Sequence, residues 1–389
     1  MSSVAAYLDY NAGAPTRPVV VEAVTAALSI GGNPSSVHRS GRLARRAIEE
    51  ARDAVAALAA VDAADVIFTS GGTEASNMAL LGAVRGGLVQ RLVISAVEHD
   101  AVRAAALAAG VPVEILPVDG DGVIDLVALG RLLAAGPGRA LVSVMLVNNE
   151  TGVIQPVAEA AAIAHGHGAL VHSDAVQAAG KLALDVQALG VDLLSLSAHK
   201  IGGPAGVGAL VKRAGLELAP LLFGGGQEYG RRAGTENLAG IAGFGAAARV
   251  AVEELPQVAR IAALRDLLER EVTARVAAAR IFGAGAARVA NTSCIGLAGV
   301  PAETQVMALD LAGVLVGAGA ACSSGKVRPS PVITAMGEAE AVARSAIRVS
   351  LGWASTMADV ERFLGAYIEF AGRASLMRSG LGQKELSHG

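Results

Sequence analysis

Short apolar runs recur along the first two-thirds of this chain, and most are separated by helical or loop segments. They occupy residues 66–69, 91–95, 141–147, 169–173, 192–197 and 207–212. Each is too short for a buried helix, and a largely uninterrupted apolar run of this length is typical of a strand covered on both faces. Residues 75–84 and 99–109 carry helical spacing, the second ended by Gly110. Strands alternating with helices imply an α/β fold around a largely parallel sheet. The last two runs flank a short stretch containing Gly202-Gly203-Pro204, which permits a local antiparallel pairing. From about residue 239 the texture changes to long Ala/Leu/Arg helices over 239–279, then strand-like segments at 293–297 and 347–350. This is a second, smaller α+β domain. We therefore expect a large domain over 15–250, and a small domain made from 1–14 and 251–389.

Composition narrows the classes. The chain has 389 residues, 53% hydrophobic and 17% charged, which suits two packed cores and not a disordered chain. A net charge of -3 with no basic stripe argues against a nucleic-acid partner. Arg42, Arg45 and Arg46 share a helical segment with glutamates and Asp53, which reads as a solvated face. The longest uncharged apolar run, 311–321, is too short and Gly-rich to span a bilayer, so no membrane partner is expected. The first nine residues lack the pattern of a signal peptide, and 2 cysteines make no disulfide framework. A cytoplasmic location is the expectation.

Residues able to do chemistry gather at the strand ends. Lys200 stands in Ser197-Ala198-His199-Lys200, between the run ending near Leu196 and a glycine-rich turn. Apolar surroundings lower a lysine's proton affinity and free its lone pair for carbonyl chemistry; the plainer reading is a strand-end lysine with its head in solvent. Ser70-Gly71-Gly72-Thr73 joins a strand to a helix, so the first helical amides can hold an anion or simply begin the helix. It is neither a P-loop nor a GxGxxG motif. Asp174 ends a strand, where ligands bind in open α/β sheets; it can pair with a pyridinium nitrogen or cap a helix. His99 can be a cap or an aromatic lid on a cofactor ring. Arg348, within a β-rich stretch, offers a planar fork to a carboxylate or forms a structural ion pair. Cys322 lies among small residues near Lys326 and Arg328, a setting that favours an accessible thiolate. Cys294 lies in an apolar run and reads as buried and inert. His165, His167 and His172 lack an accompanying cysteine and do not read as a metal site.

Taken together, these segments resemble the cysteine desulfurases, pyridoxal 5′-phosphate (PLP) enzymes of the class V aminotransferase family. The resemblance runs through Tyr7-Leu8-Asp9-Tyr10-Asn11-Ala12, Gly32-Asn33-Pro34-Ser35-Ser36 with His38, Gly71-Gly72-Thr73-Glu74, Glu98-His99 and Val147-Asn148-Asn149-Glu150-Thr151-Gly152. It continues through Asp174 with Gln177, Ser197 to Lys200, Arg232-Ala233-Gly234-Thr235, Cys322 and Arg348. The Cys322-Ser323-Ser324-Gly325 form is similar to the NifS/IscS branch. The resemblance implies a fold-type-I PLP transferase with L-cysteine as substrate and a homodimer as the assembly. Lys200 would hold PLP and shuttle a proton, Asp174 would meet the ring nitrogen, and His99 would stack on the ring. Asn149 and Gln177 would sit near the ring and its phenolic oxygen. Gly72, Thr73, Ser197 and His199 would bind the phosphate, with Thr235 contributed across subunits. Arg348, assisted by Asn149, would grip the substrate carboxylate. Cys322 would take the sulfur as a persulfide and pass it to an acceptor such as an iron–sulfur scaffold protein. Gly13-Ala14, Trp353 and the tail from Arg373 depart from the family pattern. The rival readings are a selenocysteine lyase, another class V enzyme such as an aminotransferase, and a non-enzymatic scaffold.

Overall fold

The computed structural model describes residues 5–319 and 329–385. The chain opens with β1 (Ala6–Tyr7). β2 (Val66–Thr69), β3 (Arg91–Ser95), β4 (Val113–Leu116), β5 (Ala140–Ser143), β6 (Leu170–Asp174), β7 (Leu193–Ser197) and β8 (Gly208–Lys212) then build a 7-stranded sheet in the order β2-β8-β7-β6-β5-β3-β4. β8 runs antiparallel to β2 and β7, and every other pairing is parallel. The fold is therefore α/β with a mostly parallel sheet, and the antiparallel pairing falls on the two runs flanking Gly202-Gly203-Pro204.

Neighbouring residues on a strand face opposite sides of the sheet. Ile67, Leu92, Leu141, Leu170, Leu193 and Leu210 share one core with Met78 of the helix Gly72–Arg85 and Val102 of the helix Asp100–Ala108. The residues next to them, Phe68, Val93, Val142, Val171, Leu194 and Val211, share the opposite core with Ile48 of the helix Arg39–Ala59 and Phe244 of the helix Leu238–Glu253. Both faces are covered, so these strands are apolar at nearly every position. β4 lies at the sheet edge and reads Val-Glu-Ile-Leu, with Ile115 exposed, so run length does not detect it. The run at 141–147 is regular only through Ser143. Beyond it, the backbone N–H groups of Val144 and Leu146 still donate to His172 and Asp174 at 3.1 and 2.9 Å.

β9 (Ala279–Phe282), β10 (Thr292–Leu297), β12 (Gly317–Ala318) and β13 (Ala346–Ser350) form a 4-stranded antiparallel sheet, while β11 (Val314–Leu315) pairs in parallel with β1. Ile295, Leu297, Ile347 and Val349 pack on Leu264 and Leu268 of the helix Val258–Arg275 and on Phe363 and Tyr367, whose rings stack at 5.2 Å. The helical stretch expected over 239–279 divides in two, because Pro256 interrupts it in the turn Leu255–Gln257 and residue 279 begins β9. The N-terminal arm does pack on this second unit: Ala6 and Tyr7 align with Val314 and Leu315, and Asp9 bridges to Ser350. On the first unit, the buried Arg52 grips Glu228 through both carboxylate oxygens at 2.7 and 2.9 Å, and Glu228 also accepts from the Phe68 N–H. Among the described residues no helix is long and apolar enough to cross a membrane.

Candidate active site

The chain leaves β2, β3, β5, β6 and β7 on one side of the large sheet, so the loops after them converge. A cavity of about 690 Å³ lies there. Gly72, Thr73, His99, Asn149, Asp174, Gln177, Ser197, His199, Lys200 and Arg348 all line it, although they are spread over most of the sequence.

Lys200 follows β7 in a single turn, Ala198–Lys200. Its Nζ donates to the backbone carbonyls of Asn11 at 2.6 Å and Ala12 at 2.8 Å. Burial, then the charge of Arg348, lowers its pKa to about 8, while Asp174 and Asp9 pull the other way. An amine so placed is neutral often enough at physiological pH to attack a carbonyl.

Asp174 closes β6, and its Oδ1 accepts from the Val176 N–H at 2.9 Å. Burial raises its carboxyl above the usual range, opposed by that N–H and by the charges of His99 and Lys200. Glu98 is also fully buried. Its Oε1 accepts from the Met145 N–H at 2.6 Å, and its Oε2 has no partner among the described residues. Burial and then the charge of Asp174 push Glu98 well above the carboxylate range, which favours its neutral acid form.

His99 caps the helix Asp100–Ala108, its Nδ1 accepting from the Ala101 N–H at 3.1 Å. That bond leaves the proton of the neutral ring on Nε2, so one residue is both a cap and a wall of the cavity. Gly72 begins the helix Gly72–Arg85. A Cβ there would come within 2.6 Å of Val176 Cγ2, which reserves the position for glycine. Ser197 Oγ and His199 Nδ1 are 2.8 Å apart. Burial, followed by the charge of Lys200, lowers His199 to about 4, so its imidazole is neutral at physiological pH.

Arg348 donates to Asp9 Oδ1 at 2.8 Å and to the Asn149 carbonyl at 3.1 Å, while its buried Nε has no partner among the described residues. The ion pair is real, and the guanidinium still lines the cavity. Thr235 is exposed and lines a separate cavity of about 170 Å³ with Ser70 and Glu236; within one chain it does not join the others. Cys322 lies outside the described residues, although Gly319 and Pro329, which flank its segment, both line the large cavity. Cys294 is buried in β10, and burial pushes its thiol up. His172 is enclosed in the sheet between Ser143 and Ser195, and His165 contacts Asp192 at 3.0 Å.

The sequence assigned no role to Asn11, Glu98 or Lys181. Asn11 connects the N-terminal arm to the site. It donates to Asn149 and Thr292, and it accepts from Gln177, Lys181, Asn291 and Lys200. Its place in the Tyr7–Ala12 motif was a signal. For Lys181 the signal was its position four residues after Gln177, which it contacts.

A family model described as aminotransferase class-V matches residues 6–363. The chain is 45% identical over 365 residues to a cysteine desulfurase of Cereibacter sphaeroides, covering 92% of this chain and 93% of that one. Among solved structures, a NifS-like protein from Rickettsia africae superposes with a TM-score of 0.87 at 33% identity, covering 94% of this chain and 99% of that one. A structure of SspA in complex with cysteine gives a TM-score of 0.77 at 31% identity, covering 89% and 98%.

Proposed function

The chain belongs to the class V aminotransferase family, and from that premise we infer that it is a cysteine desulfurase, a PLP-dependent enzyme that takes sulfur from L-cysteine and leaves L-alanine. The observation that carries this reading is Lys200, a half-buried amine lowered to about 8 that shares one cavity with the buried Asp174 carboxyl. The donor set suits the cofactor: helical amides with Thr73, Ser197 and His199 for a phosphate, a carboxylate for a pyridinium nitrogen, and an amine for an aldehyde. Glu98 Oε2 and Arg348 Nε, buried beside this cavity and without partners among the described residues, fit a polar occupant.

When bound, PLP supplies an electron sink for bonds broken at the substrate's α-carbon. The remaining work falls to the chain. We assign to Lys200 the covalent hold on the cofactor and the movement of the substrate's Cα proton, for which an amine titrating near 8 is suited. Asp174 would keep a positive charge on the ring nitrogen and His99 would stack on the ring. Gln177 and Asn149 would offer amide groups to it, and Gly72 would let the helix start approach the phosphate. Arg348 orients the substrate through its carboxylate, with Asn149 beside it. The Cys322 thiolate bonds to the substrate sulfur as the Cβ–S bond breaks. The bonding pair returns to the carbon skeleton, which is protonated to alanine, and the sulfur stays as a persulfide. Support for Cys322 comes from Gly319 and Pro329, which bring the chain to the cavity on either side of it.

The sulfur acceptor we propose is a protein such as an iron–sulfur scaffold, and the assembly a homodimer in which Thr235, exposed beside Ser70, serves the partner's phosphate site. We place the domain division at 15–250 against 1–14 with 251–389; the helix Leu238–Glu253 packs on the first core and Val258–Arg275 on the second. A reducing cytoplasm suits an enzyme that needs a free thiol. The test is alanine release from L-cysteine by PLP-loaded protein with a reductant, beside Cys322→Ala. Alanine from the parent and at least about 100-fold less from the variant, with the cofactor spectrum kept, is expected. Full activity in the variant would overturn the role of Cys322, and no alanine from a PLP-loaded parent would overturn the activity.

A further inference from the structure

Lys181 is a second, partly buried lysine next to the site, and the chemistry above leaves it unused. Its Nζ lies 2.5 Å from Gln177 Oε1 and 3.0 Å from Asn11 Oδ1. The orientation of both carboxamides is fixed independently of it. Gln177 Nε2 donates to the backbone carbonyl of Asn11 at 2.8 Å; a carbonyl only accepts, so the atom turned toward Lys181 must be the oxygen. Asn11 Nδ2 donates to the carbonyl of Asn149 at 3.2 Å, so its oxygen also faces Lys181. Lys181 therefore meets two acceptors and satisfies both, which an amine can do whether or not it carries a charge.

The same Asn11 carbonyl that receives Gln177 also receives Lys200 at 2.6 Å. One continuous network thus joins Lys181, Gln177, Asn11 and Lys200. Gln177 has a second N–H on Nε2, and the residue lines the large cavity. We propose that Lys181 is a positioning residue: it pins the Gln177 carboxamide so that its free N–H serves the cavity, and it steadies the Asn11 carbonyl that holds Lys200. This rests on the assignment of Lys200 and Gln177 to the cofactor. The two lysines also sense each other, since the charge of Lys200, after burial, disfavours protonation of Lys181.

The test is Lys181→Met in the PLP-loaded protein. Release of the cofactor should become about tenfold faster, the loss of one well-placed buried hydrogen bond. The pH midpoint of the bound cofactor's visible absorbance should move by about 0.5. In a Gln177→Leu background the same substitution should move each quantity less than it does in the wild type, because the share carried by Gln177 is already gone and only the Asn11 contact is left to lose. A lysine of purely structural importance would lower thermal stability in both backgrounds and leave the midpoint in place. A folded Lys181→Met protein with wild-type release and midpoint overturns the proposal. If Lys181→Met does not fold, Lys181→Gln, one atom too short to reach both oxygens, is judged by the same two readouts. Borohydride trapping and peptide mapping of the wild-type protein separate the two levels. A label on Lys200 upholds the underlying assignment whatever Lys181→Met does, and a label on Lys181 overturns both.

Discussion

If Lys200 is the residue that captures the cofactor, as we propose, its proton affinity should set how fast the empty protein does so. Only the neutral amine attacks an aldehyde, so the capture rate should follow the neutral fraction. With the pKa lowered from 10.5 to about 8, that fraction at pH 7.5 is about one quarter; an unperturbed lysine would offer about one part in a thousand. At that pH the neutral, attacking form is thus roughly 200-fold more abundant than for an ordinary lysine, and capture should be faster in proportion. Stopped-flow absorbance on mixing apoprotein with PLP should rise about tenfold per pH below 8 and level off above it. Two substitutions test the cause with opposite signs. Arg348→Met removes a positive charge that disfavours the ammonium, so the midpoint should move up; Asp174→Asn removes a negative charge that favours it, so the midpoint should move down. Screened charges of this kind are worth a few tenths to about one in pH. A wild-type midpoint near 10, or movement of both variants in one direction, would refute the argument.

Burial holds the Glu98 carboxyl well above its ordinary value of 4.5 in the folded protein, so its contribution to stability is full below that pH and is lost as the pH climbs toward the folded value. Glu98→Gln apoprotein should therefore gain on the wild type in thermal unfolding as the pH rises from about 5 to 8, and a flat difference would exclude a raised carboxyl. Arg52→Leu leaves the Glu228 carboxylate buried without its charge partner, and urea unfolding should show a loss of about 3–5 kcal/mol; a loss below about 1 kcal/mol would mean that Glu228 relaxes to solvent. Thr235→Ala and Lys200→Ala chains, each deficient alone, should regain desulfurase activity when mixed, because one site would then have its own Lys200 and the other chain's Thr235. No recovery from mixed dimers would place Thr235 outside the partner's site.

The central strands were legible because burial on both faces leaves them short apolar stretches uninterrupted by charge, their polar residues lying mainly toward the strand ends; Leu92-Val93 and Leu193-Leu194 each send one residue into each core. β4 was not, since an edge strand with Glu114 and Ile115 half or fully exposed carries no such run. β9 was hidden by Ala- and Arg-rich composition continuous with the helix before it. At the site, residues were legible when their chemistry shows in the local motif, as with Lys200, Asp174 and His99. Asn11 and Lys181 matter through partners up to 280 residues away, such as Asn291, and no local pattern encodes such contacts. Arg348 was ambiguous in sequence because both readings hold: it pairs with Asp9 and lines the cavity.

The N-terminal arm places a condition on the order in which this protein can be made. Residues 6–12 leave the ribosome roughly 300 residues ahead of Val314, Leu315 and Ser350, on which their positions depend. The large sheet is complete in sequence at Lys212 and can form while the rest of the chain is still being synthesised. Lys200 then has its strand but not the carbonyls of Asn11 and Ala12 that hold its head. A nascent chain thus carries an unfinished lysine until residue 350 has emerged and the arm has docked, and competence to take up the cofactor becomes a sign that synthesis has passed the last strand of the small sheet.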